Sequence, residues 1–266
     1  MSTTGLTREQ IATQFPPTPK TQGMWKLAGS AFLNILLNPF NLGFSIALPI
    51  FMYLMFGVGQ PYSALSVGNG NAAAQVLVSM GLFGVLLATA SFGAAIALER
   101  VQGISRAYAL TPLGAGPQII SRLVANLCVS AVLVTFTFVV GACTGAKMAF
   151  WTWVASALVI ITMSLLSSAI GFACGFAIRS DSAFAACSGV LVLSAFGAGM
   201  TVPIEQMGEV IQSISPWTPL WGAARLSLLP LYGWEELSVG MIMSVVVWTG
   251  FFGLLAMWGL RRDTKR

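Results

Sequence analysis

A short charged segment interrupts a long apolar stretch of the chain. Glu99, Arg100 and Arg106 are the only formal charges between residues 27 and 121. Carboxylate and guanidinium groups need water or partners of opposite charge, and they can pair with charges on another protein surface. We therefore predict that residues 98–113 lie in water and contact a partner. The same pattern also fits a plain amphipathic loop.

The remaining side chains offer little for catalysis. Histidine is absent, which removes the commonest general base and metal ligand. The aspartates are Asp181 and Asp263 alone, and the acidic pair Glu235 and Glu236 has no metal-binding neighbours. The four cysteines lie in or beside apolar runs without metal-ligand spacing: Cys128, Cys143, Cys174 and Cys187. We expect no catalytic residue, cofactor site or metal site, and no enzyme activity in this chain by itself.

The composition places most of the chain in a lipid bilayer. Of its 266 residues, 56% are hydrophobic and 8% are charged, with a mean hydropathy of +0.83. Soluble proteins carry about 25% charged residues, and a soluble domain with this composition could not cover its surface with polar groups. The chain is therefore predicted to be an integral membrane protein, and we expect no nucleic-acid partner.

Six apolar runs are long enough to cross a bilayer as helices, which takes about 20 residues each. They lie near residues 39–58, 73–98, 117–143, 151–178, 183–202 and 238–260. Their interiors hold essentially no ionisable side chains, which argues against a proton-driven transporter. Small residues repeat within them and predict close helix packing: Gly81 and Gly84, Gly171 and Gly175, Gly197 and Gly199. The predicted fold is all-α, with one membrane domain over residues 22–260.

A polar stripe precedes the first span. Lys26, Ser30, Asn34 and Asn38 recur every four residues, and apolar side chains fill the other faces of residues 22–38. This periodicity predicts a helix that lies in the membrane interface. The chain would then turn into the bilayer at the proline that follows. A single long first span with a kink is the alternative.

The distribution of charge predicts the orientation. With the N-terminus in the cytoplasm, eleven of the 13 lysines and arginines fall on the cytoplasmic side, while Lys147 and Arg225 fall outside. The positive-inside rule therefore places both termini in the cytoplasm. Residues 1–21 form one cytoplasmic tail and the basic residues 261–266 form the other. We expect a multi-pass protein of the plasma membrane.

The connection between the fifth and sixth spans, residues 203–237, is long, extracellular and apolar. Apolar residues at helical spacing begin at Met207, and Pro216 and Pro219 interrupt the pattern. Irregular backbone at membrane depth must be covered by protein. We therefore predict two short amphipathic helices that re-enter the membrane from outside, before the last span.

No source of energy is visible within the chain. A Gly-x-x-x-x-Gly-Lys-Ser/Thr phosphate loop is absent, since none of the four lysines follows a glycine. Uphill transport would need energy from a partner that docks on the cytoplasmic side. Residues 99–113 suit such docking, because Val101, Ile104 and Tyr108 share one helical face and the arginines project elsewhere.

Three motifs in order along the chain resemble those of one family. Glu99-Arg100-x-x-Gly103, followed after seven residues by Thr111-Pro112-Leu113, resembles the cytoplasmic coupling segment of ABC-2 type export permeases. Residues 38–57, with Asn38-Pro39 and Pro49, resemble the first span of that family. Residues 203–207 and 214–220 resemble its extracellular re-entrant helices and the turn between them. The chain is similar to permeases of the drug or lipid export kind.

The resemblance implies the membrane half of an ATP-driven exporter. Two separate ABC ATPase subunits would dock below and bind ATP and Mg²⁺, and a second permease, identical or homologous, would pair with this one. A hydrophobic or amphipathic substrate, such as a drug, a lipid or a peptide, would leave toward the outside of a bacterial plasma membrane. A carrier or channel that works without ATP is the alternative function, and a membrane assembly protein is a third.

Two groups of residues acquire expected roles from this resemblance. Coupling to the ATPase is expected of Lys26, Glu99, Arg100, Gly103 and Arg106. An extracellular gate region is expected at Pro203, Glu205, Met207, Pro216, Trp217 and Pro219.

Overall fold

A computed structural model of the chain describes residues 23–36, 39–103, 115–178, 180, 182–201, 204 and 207–264. These residues are mostly helical. The helices are α1 (Met24–Leu36), α2 (Pro39–Tyr53), α3 (Ala72–Val101), α4 (Ala115–Thr144), α5 (Phe150–Ala177), α6 (Ser182–Gly197), α7 (Glu209–Ile214), α8 (Trp221–Tyr232) and α9 (Val239–Thr264). Two short strands, β1 (Ser66–Val67) and β2 (Gly70–Asn71), form an antiparallel hairpin.

Four of the described helices are long and apolar enough to cross a membrane. They are α3, residues Pro117–Thr144 of α4, α5, and residues Val239–Arg262 of α9. Each corresponds to a predicted span, and the all-α membrane class is confirmed. The predicted first and fifth spans correspond to shorter apolar helices, Ser45–Val58 and α6. The count of six spans therefore stays a prediction.

Helix α6 ends before residue 202, where the predicted fifth span ended. The amide of Gly199, which has a φ of 72°, donates to the Phe196 carbonyl, and the amide of Met200 donates to the Ala195 carbonyl. This pair of hydrogen bonds is the Schellman motif, in which a residue with positive φ closes a helix. Helix α6 is about 24 Å long at 1.5 Å per residue, which is shorter than the roughly 30 Å apolar core of a bilayer.

Helix α3 lies at the centre of the bundle and packs most closely against α5. Where they cross, a methyl group placed on Gly171 would lie 2.2 Å from the Ala90 carbonyl oxygen, and one on Gly93 would lie 2.8 Å from the Gly171 backbone. Gly175, one turn further along α5, approaches the Gly93 carbonyl in the same way. The close packing predicted for Gly171 and Gly175 is confirmed, and it follows the small-xxx-small pattern of membrane helices.

Helix α2 approaches α3 through a related contact. Pro49 has no N–H to bond the Ser45 carbonyl, and Gly84 leaves room for both groups. A methyl group on Gly84 would lie 2.6 Å from the Pro49 ring and 3.0 Å from that carbonyl oxygen. Helix α2 then widens into a π-helical turn, Leu54–Val58. The fully buried Tyr53 ties this region to α4 through its hydroxyl.

One end of the bundle, here called the hairpin end, is built around β1 and β2. The Asn69 amide donates to the Leu231 carbonyl at the end of α8, at 2.7 Å. The side-chain oxygen of Asn71 accepts hydrogen bonds from the amides of Ala74 and Lys147, both at 3.0 Å. The hairpin thus caps α3 and holds the loop before α5 and the end of α8 together.

The opposite end, here called the Glu99 end, is where α3 and α5 finish and α4 begins. Helix α1 lies against it, since the Ser121 hydroxyl of α4 donates to the Met24 carbonyl at 3.2 Å. The last turns of α9 lie there too, because Gly259 packs against Phe176 near the end of α5. The first and last described helices therefore meet the bundle at the same end.

Large apolar side chains cover the outward faces of the bundle. On α9 the exposed ones are Val239, Ile242, Met243, Val246, Val247, Phe251, Leu254, Met257 and Trp258. On α4 and α6 they are Ile120, Val132, Phe136, Val139, Val192, Leu193 and Phe196. Apolar surface of this extent marks contact with lipid or with another protein.

We predict that Gly171→Ala destabilises the fold. The added methyl group would displace the Ala90 backbone, and overpacking of this kind costs about 1–3 kcal/mol. Gly189→Ala is the matched control, because a methyl group there would meet nothing within 4 Å. Thermal unfolding in detergent should give a lower midpoint for Gly171→Ala only. Equal midpoints would mean that α3 and α5 do not touch through their backbones.

Candidate functional site

The candidate site begins where α3 ends. Gly103, with a φ of 77°, donates its amide to the Arg100 carbonyl at 3.2 Å, and Gln102 donates to the Leu98 carbonyl at 2.9 Å. A residue with positive φ after the last turn is the usual way to close a helix, and glycine adopts it without steric cost. Gly103 therefore separates α3 from the rest of the predicted coupling segment. Arg106 lies outside the described residues.

Glu99 is ion-paired within the chain. Its carboxylate accepts a hydrogen bond from the guanidinium of Arg122 on α4. The side chains are 27% and 17% exposed respectively, so the pair is largely shielded from water. Sequence reasoning placed Glu99 on the surface for a partner and did not identify Arg122. The pair joins the end of α3 to the first turns of α4.

Arg100 contacts the end of α5. Its guanidinium donates to the carbonyl oxygens of Gly175 and Phe176, at 3.2 and 3.0 Å, and lies 5.8 Å from the centre of the Phe176 ring. The last carbonyls of a helix lack partners within it and carry partial negative charge, so a cation is stabilising there. Together, Glu99 and Arg100 connect the end of α3 to both neighbouring helices.

A cleft of about 200 Å³ lies beside the Glu99–Arg122 ion pair, between α1, α3 and α4. Its polar lining residues are Ser30, Asn34, Glu99, Gln118, Arg122 and Asn126. Its apolar lining residues are Leu27, Ala31, Ile35, Phe92, Ala95, Ala125 and Phe172. Part of the polar stripe predicted on the interfacial helix therefore lines a cleft, while Lys26, one turn earlier, has an exposed side chain.

A buried polar network continues inward from this cleft. The Asn126 amide donates to the Ser168 hydroxyl at 2.8 Å and to the Thr89 carbonyl at 3.4 Å, and the Thr89 and Ser167 hydroxyls are 2.5 Å apart. These contacts connect α3, α4 and α5 by hydroxyl and amide groups only. Sequence reasoning missed the network because it searched the spans for ionisable groups. The helical spacing of Ser164, Ser167 and Ser168 is the feature of the sequence that could have indicated this network.

The described residues of the predicted extracellular gate region lie near the end of α6. Met207 is half-buried, and its carbonyl accepts a hydrogen bond from the Gln212 side chain at 2.8 Å. Pro216 is exposed, Trp217 is 79% exposed, and Pro219 is half-buried in the turn that leads into α8. Pro203 and Glu205 lie outside the described residues. The described gate residues are therefore exposed or half-buried, and none of them belongs to the core.

The turn before α8 rests on α6 while α8 itself enters the bundle. A methyl group on Gly197 would lie 2.8 Å from the Thr218 side chain, so the turn packs directly on the end of α6. Helix α8 packs against α3, α5 and α9, and most of its residues are buried. Trp217 and the apolar residues of α7, in contrast, face outward. The region thus has two parts. Helix α8 is packed within the bundle, and the outward-facing Trp217 and helix α7 form what is here called the exposed flank.

The fold and the site define a multi-pass α-helical membrane protein whose charged contacts are concentrated at one end. Comparison with known proteins identifies the family. A family model described as "ABC-2 family transporter protein" matches residues 58–259. A Bacillus subtilis (strain 168) protein named "Putative transport permease YvfS" is 26% identical over 194 residues, which are 70% of this chain and 76% of that protein.

The chain belongs to the ABC-2 family of transporter proteins. It is the membrane-spanning permease of an ABC transporter, a transport subunit that is not itself catalytic. ABC transporters work with ATPase partners. The resemblance identified from the sequence motifs is confirmed.

We predict that the Glu99–Arg122 ion pair stabilises the fold and that it can be exchanged. Glu99→Arg and Arg122→Glu each place two like charges together, and each should lower stability by about 1–2 kcal/mol, since the pair is only partly exposed. The double variant should recover most of the loss. The measurement is thermal unfolding of the single and double variants in detergent. Purely additive losses would contradict a direct contact.

Proposed function

We propose that this permease is one half of an ATP-driven exporter that moves a hydrophobic or amphipathic substrate, such as a drug, a lipid or a peptide, out of a bacterial cell. Two ABC ATPase subunits dock at the Glu99 end and bind ATP and Mg²⁺. A second permease, identical or homologous, completes the transport path. Membership of the ABC-2 family supports an ATPase partnership, and the contacts of Glu99 and Arg100 support the mode of coupling.

The contacts at the end of α3 suit a segment that transmits movement. Residues 99–113 continue directly from α3, and Glu99 and Arg100 bind α4 and α5 respectively. When the ATPase dimer closes and displaces the segment, the ends of three helices move together. Packed helices with discrete arrangements are the elements that carry such coupling. Glu99 and Arg100 therefore act as links within the permease, and Gly103 is the joint between α3 and the docking surface.

The docking surface itself consists of the exposed Lys26 and of Arg106 in the coupling segment. Lys26 on α1 has an exposed side chain, and Arg106 belongs to the coupling segment beyond Gly103. Acidic groups on an ATPase would pair with these cations, and such pairs guide association more than they add affinity. Helix α1 lies at the Glu99 end and the coupling segment begins there, so one ATPase subunit would reach both.

The Glu99 end is assigned to the cytoplasm. The positive-inside rule supports this orientation, and both the first and last described helices meet the bundle at that end. Arg261 and Arg262 lie in the last turn of α9, where the cytoplasmic headgroups would neutralise them. Both termini are cytoplasmic in this arrangement, and the hairpin end is extracellular.

The exposed flank at the hairpin end forms the outer gate. Trp217 and the half-buried Met207 lie beside the short helix α7, together with Pro216 and Pro219. Pro203 and Glu205 are assigned to the same gate from the sequence motif. Tryptophan at this level would sit among lipid headgroups. Helix α8, held by the hairpin, is the fixed re-entrant helix, and α7 is the second one, free to move with the substrate. The apolar faces of α4, α6 and α9 are covered by lipid and by the second permease.

We predict that Arg100→Gln uncouples transport from ATP hydrolysis. The tagged permease is purified together with its ATPase subunits and reconstituted in liposomes. Its substrate-stimulated or permease-dependent ATPase activity should fall about 5-fold or more, which is the usual size of an effect transmitted between coupled sites. The complex should still assemble, because Arg100 is not the docking charge. Lys147→Gln removes an exposed cation at the hairpin end and is the matched control.

Two outcomes would contradict this function. Unchanged ATPase activity in Arg100→Gln would exclude the coupling role. Transport by the permease alone, driven by an ion gradient and without any ATPase, would instead favour the carrier or channel.

We also predict the topology. In a variant without native cysteines, a cysteine introduced at Trp234 or Lys147 should react with a membrane-impermeant maleimide applied to intact cells. A cysteine at Gln102 or Ser105 should react only after the cells are opened. The reverse labelling pattern would mean that the Glu99 end faces outward.

A further inference from the structure

The charged residues of the cleft between α1, α3 and α4 lie toward the end of the bundle, and its inner part is lined by Phe92, Phe172 and the uncharged amide of Asn126. Glu99 and Arg122 lie at one end of it, and Phe92, two turns before Glu99 on α3, lies at the other. Those two turns correspond to about 10 Å. Helix α1, with its polar stripe, closes one side. A cleft that is charged toward the end of the bundle and uncharged, with two phenyl rings, toward its middle suits an amphipathic molecule standing in a leaflet.

The ion pair in this cleft retains hydrogen-bonding capacity. A guanidinium has five N–H donors and a carboxylate has two acceptor oxygens. Among the residues that the structure describes, Arg122 and Glu99 use one nitrogen and one oxygen for each other. The side-chain amides of Asn34 and Gln118 line the same cleft, and neither is hydrogen-bonded to a described residue. Donors and acceptors are therefore available to a ligand.

The size of the cleft limits what can enter it. Its volume of about 200 Å³ is below the roughly 300–1,000 Å³ of pockets that enclose a whole drug-sized ligand. A small polar headgroup would fit, while the acyl chains would stay in the bilayer beside the apolar residues. Water or a free ion would gain no favourable contact with the apolar residues that line the cleft.

The charges of the cleft select the kind of headgroup. One cation and one anion face it, so a purely anionic ligand would place its charge against the Glu99 carboxylate. A phosphate on Arg122 with a primary ammonium on Glu99 satisfies both, because charge-assisted hydrogen bonds are the strongest available. A quaternary ammonium has no N–H group to donate and would bind the Glu99 carboxylate more weakly.

We propose that this cleft binds the headgroup of an amphipathic molecule that carries a phosphate and a primary ammonium group, as a phosphoethanolamine lipid does. The phosphate contacts Arg122 and the ammonium contacts Glu99, while the amides of Asn34 and Gln118 bind the remaining oxygens. Placement in the cytoplasmic leaflet rests on the orientation given under Proposed function. Binding itself does not, and the test below measures binding alone.

The test uses the full-length chain, as purified in detergent with any subunits that accompany it, and native mass spectrometry with added short-chain lipids. Dioctanoyl phosphatidylethanolamine should bind about tenfold more tightly than the choline lipid, the glycerol lipid or dioctanoylglycerol, the scale expected for one charge-assisted hydrogen bond. Free O-phosphoethanolamine, which has no chains, should bind more weakly than the lipid.

Two variants test the cleft, and binding is measured on the folded fraction of each, because Arg122→Gln also removes a stabilising ion pair while Ala95→Phe keeps it. Arg122→Gln removes the phosphate contact and should weaken binding of the ethanolamine lipid about tenfold. Ala95→Phe fills the cleft but keeps the ion pair, and it should abolish the preference. Ala142→Phe places the same ring on an exposed position of α4 outside the cleft and should leave binding unchanged.

Several outcomes would overturn the proposal. Wild-type affinity in both Arg122→Gln and Ala95→Phe would mean that the lipid binds elsewhere. Equal affinity for the choline or glycerol lipid would exclude the ammonium contact with Glu99. Equal affinity for free O-phosphoethanolamine would make the cleft a site for a soluble phosphate compound. Unchanged ATPase activity in Arg100→Gln, transport by the permease without an ATPase, or an inverted topology would disprove the proposed transport function and leave this binding result standing.

Discussion

The backbone contact between α3 and α5 is the constraint on which the rest of the structure depends. Within a bilayer, lipid tails are as apolar as leucine, so helices associate through close packing and polar contacts rather than through the hydrophobic effect. Gly93, Gly171 and Gly175 allow that approach, since any side chain there would collide with the facing backbone. Because the two helices touch over their cytoplasmic halves in the proposed orientation, Arg100 reaches the final carbonyls of α5 without a bridging group.

Hydrogen bonds between polar groups then attach helix α4 to the α3–α5 pair. Asn126 reaches both Ser168 and the Thr89 carbonyl only because α3 and α5 are already close together. Hydroxyl and amide contacts between membrane helices contribute about 0.6–2 kcal/mol each, so the network helps to hold three helices in register. Near the end of the bundle, Arg122 joins α4 to Glu99 on α3. The cleft between α1, α3 and α4 lies beside that ion pair.

The two ends of the bundle are built differently, and this difference suits a transporter. At the hairpin end, the Asn69 amide donates to the Leu231 carbonyl and the Asn71 side-chain oxygen accepts from the amides of Ala74 and Lys147, so that α3, α8 and the loop before α5 are tied together, while Trp217 and its neighbours remain exposed. At the Glu99 end, each of these connections has a side-chain donor: Arg122 binds the Glu99 carboxylate, Arg100 binds the last carbonyls of α5, and Ser121 binds the Met24 carbonyl of α1. Side-chain contacts can be exchanged without unfolding a helix, which is a requirement for an element that changes position during a transport cycle.

The sequence by itself determined the membrane class, the helical content, the position of helix α1 and the family, because apolar run length, periodicity and ordered motifs are local properties. The tertiary structure decided which groups the charged side chains contact. Glu99 was expected to face a partner but lies against Arg122, which is 23 residues away in the chain. Gly199 ends α6 through hydrogen bonds that depend on a left-handed backbone conformation, which hydropathy does not report. Such contacts depend on which helices pack together and at what level along their lengths. The local residue pattern of each helix does not specify that geometry.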